Sequence, residues 1–164
     1  MEEFVKFIHE VGSLKLTPRS GWLKIGIELP ESVAEHSFRT AIIAFLLAQK
    51  SGESLEKSLR AAFLGLIHDL HETRTTDLHK IAKKYVKVDE ERLENETMKF
   101  EIDSNGIEKY VEDADKLELA FQAVEYSVKN KFALEFAKKI EFKTEIAKEI
   151  YKSLMERMDP RWWR

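Results

Sequence analysis

The chain has 164 residues, enough for one domain with a sizeable core, and its 43% hydrophobic and 35% charged composition excludes a disordered chain. Without a single cysteine, disulfides, thiolate catalysis and Cys-based zinc sites are excluded, and any metal must sit on His, Asp or Glu. The balance of 27 basic against 30 acidic residues, a net charge of −3, gives no electrostatic reason for a nucleic-acid partner.

The opening Met-Glu-Glu-Phe-Val-Lys lacks the basic-then-apolar pattern of a signal peptide. No apolar run approaches the roughly 18 residues of a membrane span. A soluble cytoplasmic protein without a membrane partner is expected. Residues 2–10 read as a short amphipathic helix with Phe4, Val5 and Ile8 inward. Gly12, Pro18, Gly21, Gly26 and Pro30 then break regular structure over a long stretch, with some strand-like alternation from Trp22 to Leu29. A connection this long inside a compact domain is often functional.

Ser32-Val33-Ala34-Glu35 fits a capping box that starts a helix running to about Gln49, with Gly52 as its stop. From Val33 to Ala48 this helix is apolar on nearly all sides, which predicts a place in the middle of a bundle. Ser54 caps the next helix, where Leu55, Leu59, Ala62, Phe63, Leu66, Ile67 and Leu70 trace one stripe. A polar stretch, His71 to Asp77, precedes a short helix around Leu78 to Tyr85, and another helix is predicted over about Asp89 to Ile102. Asp103-Ser104-Asn105-Gly106 is a turn. A long helix then carries Tyr110, Val111, Ala114, Leu117, Phe121, Val124 and Val128 on one face. Two last helices cover about 132–139 and 142–158. The expectation is an all-α bundle of six to eight helices forming a single domain over 1–164.

Four groups sit where this pattern does not want them. His36 lies one turn into one of the most apolar helices of the chain. His68 and Asp69 end an uncharged run, Ala61 to Ile67, and Asp115 stands beside Ala114 and Leu117 at the edge of a core stripe. An ionised carboxylate costs several kcal/mol to bury without a partner. One divalent cation would settle Asp69 and Asp115 together, with neutral imidazoles from His36 and His68 completing the set. Singly, each has a plainer reading: a hydrogen-bonding His, an Asp69 paired with a lysine, an Asp115 paired with Lys109 or Lys116. Jointly, the plainer readings require three independent accidents.

The order His36, His68-Asp69, Asp115, set in "Ser-Val-Ala-Glu-His-Ser", "Leu-Ile-His-Asp-Leu" and "Asp-Ala-Asp-Lys-Leu-Glu", resembles the HD-domain metal phosphohydrolase superfamily. Leu14 to Trp22, "Leu-Lys-Leu-Thr-Pro-Arg-Ser-Gly-Trp", followed by "Pro-Glu-Ser-Val-Ala-Glu-His", is similar to its 5′-deoxynucleotidase branch. The resemblance covers about 4–128, and the helices of 132–158 add little to it. It implies the HD-domain fold, a homodimer, and release of phosphate from nucleoside 5′-monophosphates, deoxyribonucleotides foremost. It also implies one divalent metal on His36, His68, Asp69 and Asp115. Two His and two carboxylates suit octahedral Co, Mn, Fe, Ni or Mg better than a closed tetrahedral Zn site.

Such chemistry needs a carboxylate to move the proton between water and leaving alkoxide. Glu72, one helical turn from His68, matches the family's acid/base residue; on residues alone it reads as a solvent-facing Glu. Asp77 matches a second family carboxylate used in catalysis near the sugar, and also reads as an N-cap for the helix at Leu78. Thr76 stands where relatives commonly carry Gly. Arg19 and Trp22 match an Arg-and-Trp pair near the substrate, a fork for phosphate and an apolar plate for base or sugar; otherwise Trp22 packs on the core and Arg19 is solvated. His71 is expected to be exposed or to support the ligands, and His9 and His79 to be structural. Competing readings are an HD-type phosphodiesterase or guanosine tetraphosphate hydrolase, and a non-catalytic metal-bearing module that binds nucleotides or a protein.

Overall fold

A computed structural model describes residues 1–98 and 102–164, and among these the secondary structure is helical, with no strand and one isolated bridge between Pro18 and Ser32. The eight α-helices are α1 (Glu2–Gly12), α2 (Ser20–Leu23), α3 (Val33–Lys50), α4 (Leu55–Ile67), α5 (Glu72–Thr75), α6 (Glu90–Thr97), α7 (Glu108–Ser127) and α8 (Glu145–Arg157). Short 3-10 segments cover Ser13–Leu16, Ala82–Lys84 and Lys131–Ala137. The all-α expectation holds. No helix among the described residues is long and apolar enough to cross a membrane. Two compact units emerge, Met1–Ser37 with Ile67–Ile102, and Phe38–Leu66 with Asp103–Arg164.

In the first unit the long irregular stretch is pinned rather than loose. Arg19 N–H donates to the Glu31 carbonyl at 2.9 Å and Val33 N–H to the Thr17 carbonyl at 2.8 Å. The capping box forms as its spacing predicts: Glu35 Oε2 accepts from Ser32 N–H at 2.6 Å, and Glu35 N–H donates to Ser32 Oγ at 3.2 Å. The Ser32 backbone N–H, then its hydroxyl, hold the Glu35 carboxyl below its ordinary range. Arg74 at the end of α5 ties α1 to α6 through Glu10 and Glu96, each at 2.5 Å.

The second unit is built on small residues. Ala44, Leu47, Ala48, Ala61, Ile107, Tyr110, Ala114, Leu117 and Ala147 form its core. Alanines let helices approach closely, so α7 packs on α8 and on the 3-10 segment Lys131–Ala137. Asp113, fully buried, accepts from the Lys143 and Thr144 N–H groups and the Thr144 hydroxyl at 2.7–2.9 Å, which fixes the start of α8. A cavity of about 600 Å³ in this unit is lined by Phe121, Val124, Ile150, Leu154 and Trp162 among others, and none of the candidate site residues lines it.

Several expectations fail. Phe4, Val5 and Ile8 are exposed, and α1 buries no residue. The outer faces of α3 and α4 are also uncovered: Phe38, Ile42 and Leu46, and Leu55, Leu59, Phe63 and Leu66, are all exposed. Apolar periodicity locates an apolar face but does not say that the same chain covers it. The segment 78–85 condenses to the 3-10 turn Ala82–Lys84, preceded by His79, whose Nδ1 accepts from Ala82 N–H at 3.2 Å. The Trp22–Leu29 alternation is the end of α2 followed by a turn, with Gly26 at φ 81°, not a strand. α6 is capped by Asp89 and ends at Thr97; the rest of the helix expected to Ile102 includes residues 99–101, which lie outside the described residues.

Candidate metal centre

Three of the four expected ligands meet within the first unit. His36, fully buried on the first turn of α3, faces His68 with Nε2 to Nε2 at 3.3 Å. Asp69 Oδ2 lies 3.3 Å from His68 Nε2 and 3.6 Å from His36 Nε2. Neighbouring donors on an octahedral ion, each about 2.1 Å from it, stand roughly 3 Å apart. The three atoms therefore have the spacing of one face around a single cation. Two imidazole nitrogens at 3.3 Å either share a proton or both turn lone pairs to one point, and a carboxylate oxygen at that same point favours the second arrangement. The donor chemistry and the spacing fit a divalent metal. Asp115 belongs to the second unit, half-buried on α7 beside the buried Ala114.

The local chain explains the convergence. α4 ends at Ile67, and a tight turn follows in which Leu70 N–H donates to the Ile67 carbonyl and Glu72 N–H to the Asp69 carbonyl, at 2.9 and 3.0 Å. Leu70 is buried, and the turn places His68 and Asp69 on the side facing His36. Glu72, the first residue of α5, is buried as well, so its solvent-facing reading fails. Its Oε2 finds no hydrogen-bond partner among the described residues. Burial first, then the Asp69 and Asp77 carboxylates, push its carboxyl up to about 8, against the pull of Arg19 and Lys83. His71 is half-buried and brings a donor atom within 4.8 Å of Asp69 and Glu72 donors.

Arg19 and Asp77 stand beside this group. Arg19 Nη1 donates to Asp69 Oδ2 at 3.2 Å and lies 4.0 Å from Asp77 Oδ1. Arg19 is therefore not a solvated surface cation. Asp77 does not cap a helix at Leu78; its carboxylate accepts from the Ser20 N–H while its carbonyl accepts from the Ser20 hydroxyl at 2.8 Å, fastening α2 to the segment after α5. Trp22 corrects the expectation of an open apolar plate. It is 1% exposed, and its indole N–H donates to Glu31 Oε1 at 3.1 Å, so the ring faces are spent on packing. Thr76 has φ 59° and ψ 172°, a conformation natural to glycine.

One cluster escaped the sequence reading. In the second unit Arg39 donates to Glu118 at 2.7 and 2.9 Å, to Glu125 at 2.6 Å and to Gln122. Burial opposes the Arg39 charge, but Glu118 and Glu125 outweigh it and hold the guanidinium above its ordinary value. The signal was present: Arg39 is the only Lys, Arg, Asp or Glu from His36 to Gln49.

Known proteins are similar to this chain over most of its length. The HD domain family matches residues 11–157, through both units. The 5′-deoxynucleotidase HDDC2 of Homo sapiens is 30% identical over 142 residues, 74% of this chain and 67% of that protein. A solved genomics structure is 64% identical with a TM-score of 0.97 over all of both chains. A coding region of Archaeoglobus fulgidus is 60% identical with a TM-score of 0.84 over 99% of this chain and 100% of that one. A family match that runs almost end to end, over residues whose imidazoles and carboxylate converge as described, makes this chain a member of the HD domain family.

Proposed function

We propose that the chain is a metal-dependent phosphohydrolase that releases phosphate from nucleoside 5′-monophosphates, deoxyribonucleotides foremost. The observation that carries the reading is the face of three donors, His36, His68 and Asp69, with the buried and proton-holding Glu72 one turn beyond. Relatives named 5′-deoxynucleotidase, the human protein among them, support the substrate class. Asp115 is proposed as the fourth ligand, the whole chain as one HD domain, and the working form as a cytoplasmic homodimer. Octahedral Co, Mn, Fe, Ni or Mg is favoured over Zn on donor type.

A divalent cation held by these residues would supply charge stabilisation at the phosphoryl oxygens and would acidify water. The remaining work falls to the chain. Arg19, anchored to Asp69 through Nη1, presents its fork to the phosphate. Asp77, fixed against Ser20, accepts a hydrogen bond from a sugar hydroxyl. Trp22 is a positioning residue: it is buried three residues after Arg19 and orients Glu31, whose carbonyl holds the Arg19 N–H. Water attacks phosphorus as the ester P–O bond breaks. Glu72 gives the proton it holds to the departing 5′-oxygen and takes up the proton that water loses, so nucleoside and inorganic phosphate leave with atoms balanced. A carboxyl whose proton affinity lies near neutral pH suits both halves of that transfer.

The test is phosphate release by metal-stripped protein, crossing 5′- and 3′-monophosphates with Co, Mn, Mg, Ni and Zn. Release from 5′-monophosphates with at least one metal is expected. No release from any monophosphate with any metal discards the reading. Glu72→Ala is expected to lose about 10²–10⁴-fold in rate with metal content intact. Loss of the metal together with the rate would move Glu72 from proton transfer to ligation.

A further inference from the structure

The turn that follows α4 carries more donor chemistry than one cation needs. Asp69, His71 and Glu72 each bring a ligand atom within 4.8 Å of the other two. All three sit on one hydrogen-bonded turn, where Glu72 N–H donates to the Asp69 carbonyl at 3.0 Å and Arg74 N–H to the His71 carbonyl at 3.1 Å. His71 takes the N-cap position of α5, yet its side chain makes no cap, and among the described residues the half-buried imidazole makes no hydrogen bond. Glu72 is 4% exposed, and its Oε2 also has no partner among the described residues.

These donors are unspent. A buried carboxylate oxygen without a donor costs free energy, and an imidazole beside it with no bond of its own does nothing to relieve the cost. Arg19 serves Asp69 through Oδ2 at 3.2 Å and lies 4.0 Å from Asp77 Oδ1, so its charge is already divided. Donors on one octahedral ion, with bonds of about 2.1 Å, stand roughly 3 Å apart when adjacent and about 4.2 Å apart when opposite. A group already within 4.8 Å reaches that spacing by small side-chain rotations, with the backbone of the turn left in place. One imidazole and two carboxylates favour Mn, Co, Ni or Zn over Mg or Ca.

We propose that Asp69, His71 and Glu72 hold a second divalent cation, next to the one assigned to His36, His68 and Asp69, and that this second ion inhibits hydrolysis. Asp69 Oδ2 faces the imidazoles of His36 and His68, at 3.6 and 3.3 Å. With two oxygens, the same carboxylate can bridge both ions at the roughly 3.5–4 Å separation usual for paired metals. The second site is the weaker, because an ion entering it meets the charge of the first and shares Asp69 with it. It therefore fills only when metal is in excess. Engaged as a ligand, Glu72 no longer carries a proton between water and the departing 5′-oxygen, so the filled site is an off-state. The inhibition rests on the proton-carrying role proposed above for Glu72; the binding does not.

Mn²⁺ added to the metal-stripped full chain tests both parts. Equilibrium dialysis should find two ions per chain at high free metal, the second bound more weakly. His71→Ala should keep the tighter ion and lose the weaker, with helical circular dichroism retained. Should that variant fail to fold, His71→Phe, which fills the space without a donor, is expected to give the same count. His36→Ala should do the reverse and lose the tighter ion. Electron paramagnetic resonance of the doubly loaded chain should show a magnetically coupled pair, whereas a second ion on an unrelated surface carboxylate gives an isolated signal. Phosphate release from a nucleoside 5′-monophosphate should rise with Mn²⁺ and then fall as the weaker site fills, and in His71→Ala the fall should be gone. A single ion in the natural chain, a weaker ion that survives His71→Ala and His71→Phe, or two uncoupled ions would each overturn the second site. A rate that stays level while the second ion binds would overturn the inhibition. If no metal supports phosphate release, the hydrolase reading and the inhibition fail together, and the ion count alone decides the site.

Discussion

Two clusters of buried ionisable groups, one in each unit, settle their charge in opposite ways. In the second unit Glu118 is fully buried, and the chain itself supplies the cation, Arg39, with hydrogen bonds that also engage Gln122 and Glu125. In the first unit His36, His68, Asp69 and Glu72 turn donor atoms and carboxylates toward one another. Arg19 reaches Asp69 from one side, yet Glu72 remains so poorly served that its carboxyl keeps its proton toward pH 8. A fold that settles a buried acid with arginine in one place and leaves donors facing each other in another is reserving the second place for a ligand.

The largest effect should come from breaking the self-sufficient cluster. Arg39→Met leaves Glu118 buried without its cation, and removing one partner of a buried pair costs about 3–5 kcal/mol. Denaturant unfolding should show that loss, while the added companion change Glu118→Leu should recover most of it. Asp69→Asn in the other cluster should cost far less in metal-free protein and should instead abolish metal retention. If Arg39→Met unfolds at the same denaturant concentration as the natural chain, the Arg39 cluster is not structural and the contrast falls.

A smaller effect sharpens the contrast from the other side. Unfolded, a glutamate releases its proton near 4.5; in the folded metal-free chain Glu72 releases it near 8. Between those values the folded chain binds the extra proton, so this group's contribution to stability is full below about 4.5, falls as pH rises, and is lost above about 8. Glu72→Gln has no such proton. The natural chain should therefore lose about 2 kcal/mol relative to Glu72→Gln between about pH 5 and about pH 7, in chelator-treated samples followed by thermal unfolding. Parallel curves for the two proteins would show that Glu72 is ordinary and already satisfied.

How much of this was legible in the sequence depends on whether the signal was local. His36 and His68-Asp69 were legible because each interrupts an apolar run, and burial of a polar group demands a reason. The capping box at Ser32 and Glu35 was legible because both partners lie within four residues. Asp113 was not, since its partners Lys143 and Thr144 are some thirty residues away, and one acid in Asp-Ala-Asp-Lys-Leu-Glu looks like the next. The same six residues hold a helix-capping acid, a candidate ligand in Asp115 and the buried partner of Arg39 in Glu118. The outer faces of α3 and α4 misled because the close-packed core takes the alanines of these helices with Leu47, and leaves most of their leucines and phenylalanines outside it. For Trp22 the sequence left core packing and an open substrate plate side by side, because the hydrogen bond to Glu31 that seats it depends on the return of the chain at Pro18 and Ser32.

The smallest expected effect concerns the turn between Glu72 and Asp77. Thr76, at φ 59° and ψ 172°, is a β-branched residue where the backbone suits glycine, at a strain of about 1–3 kcal/mol. Glycine in its place would relieve that strain but would give up roughly 0.5–1 kcal/mol to the greater freedom of the unfolded chain. The strain is the larger quantity, so Thr76→Gly should gain about 1 kcal/mol, a rise of about 2–4 °C in thermal midpoint for a chain of this size. The hydrogen bond from Thr76 N–H to the Glu72 carbonyl at 2.9 Å survives the change, so the gain isolates the torsion. If the threonine is kept because it stiffens the approach to Asp77, the variant should bind substrate less well, with KM raised more than kcat is lowered. A lower midpoint in Thr76→Gly would mean that this turn is relaxed as threonine, and the strain would then have no part in holding Asp77 against Ser20.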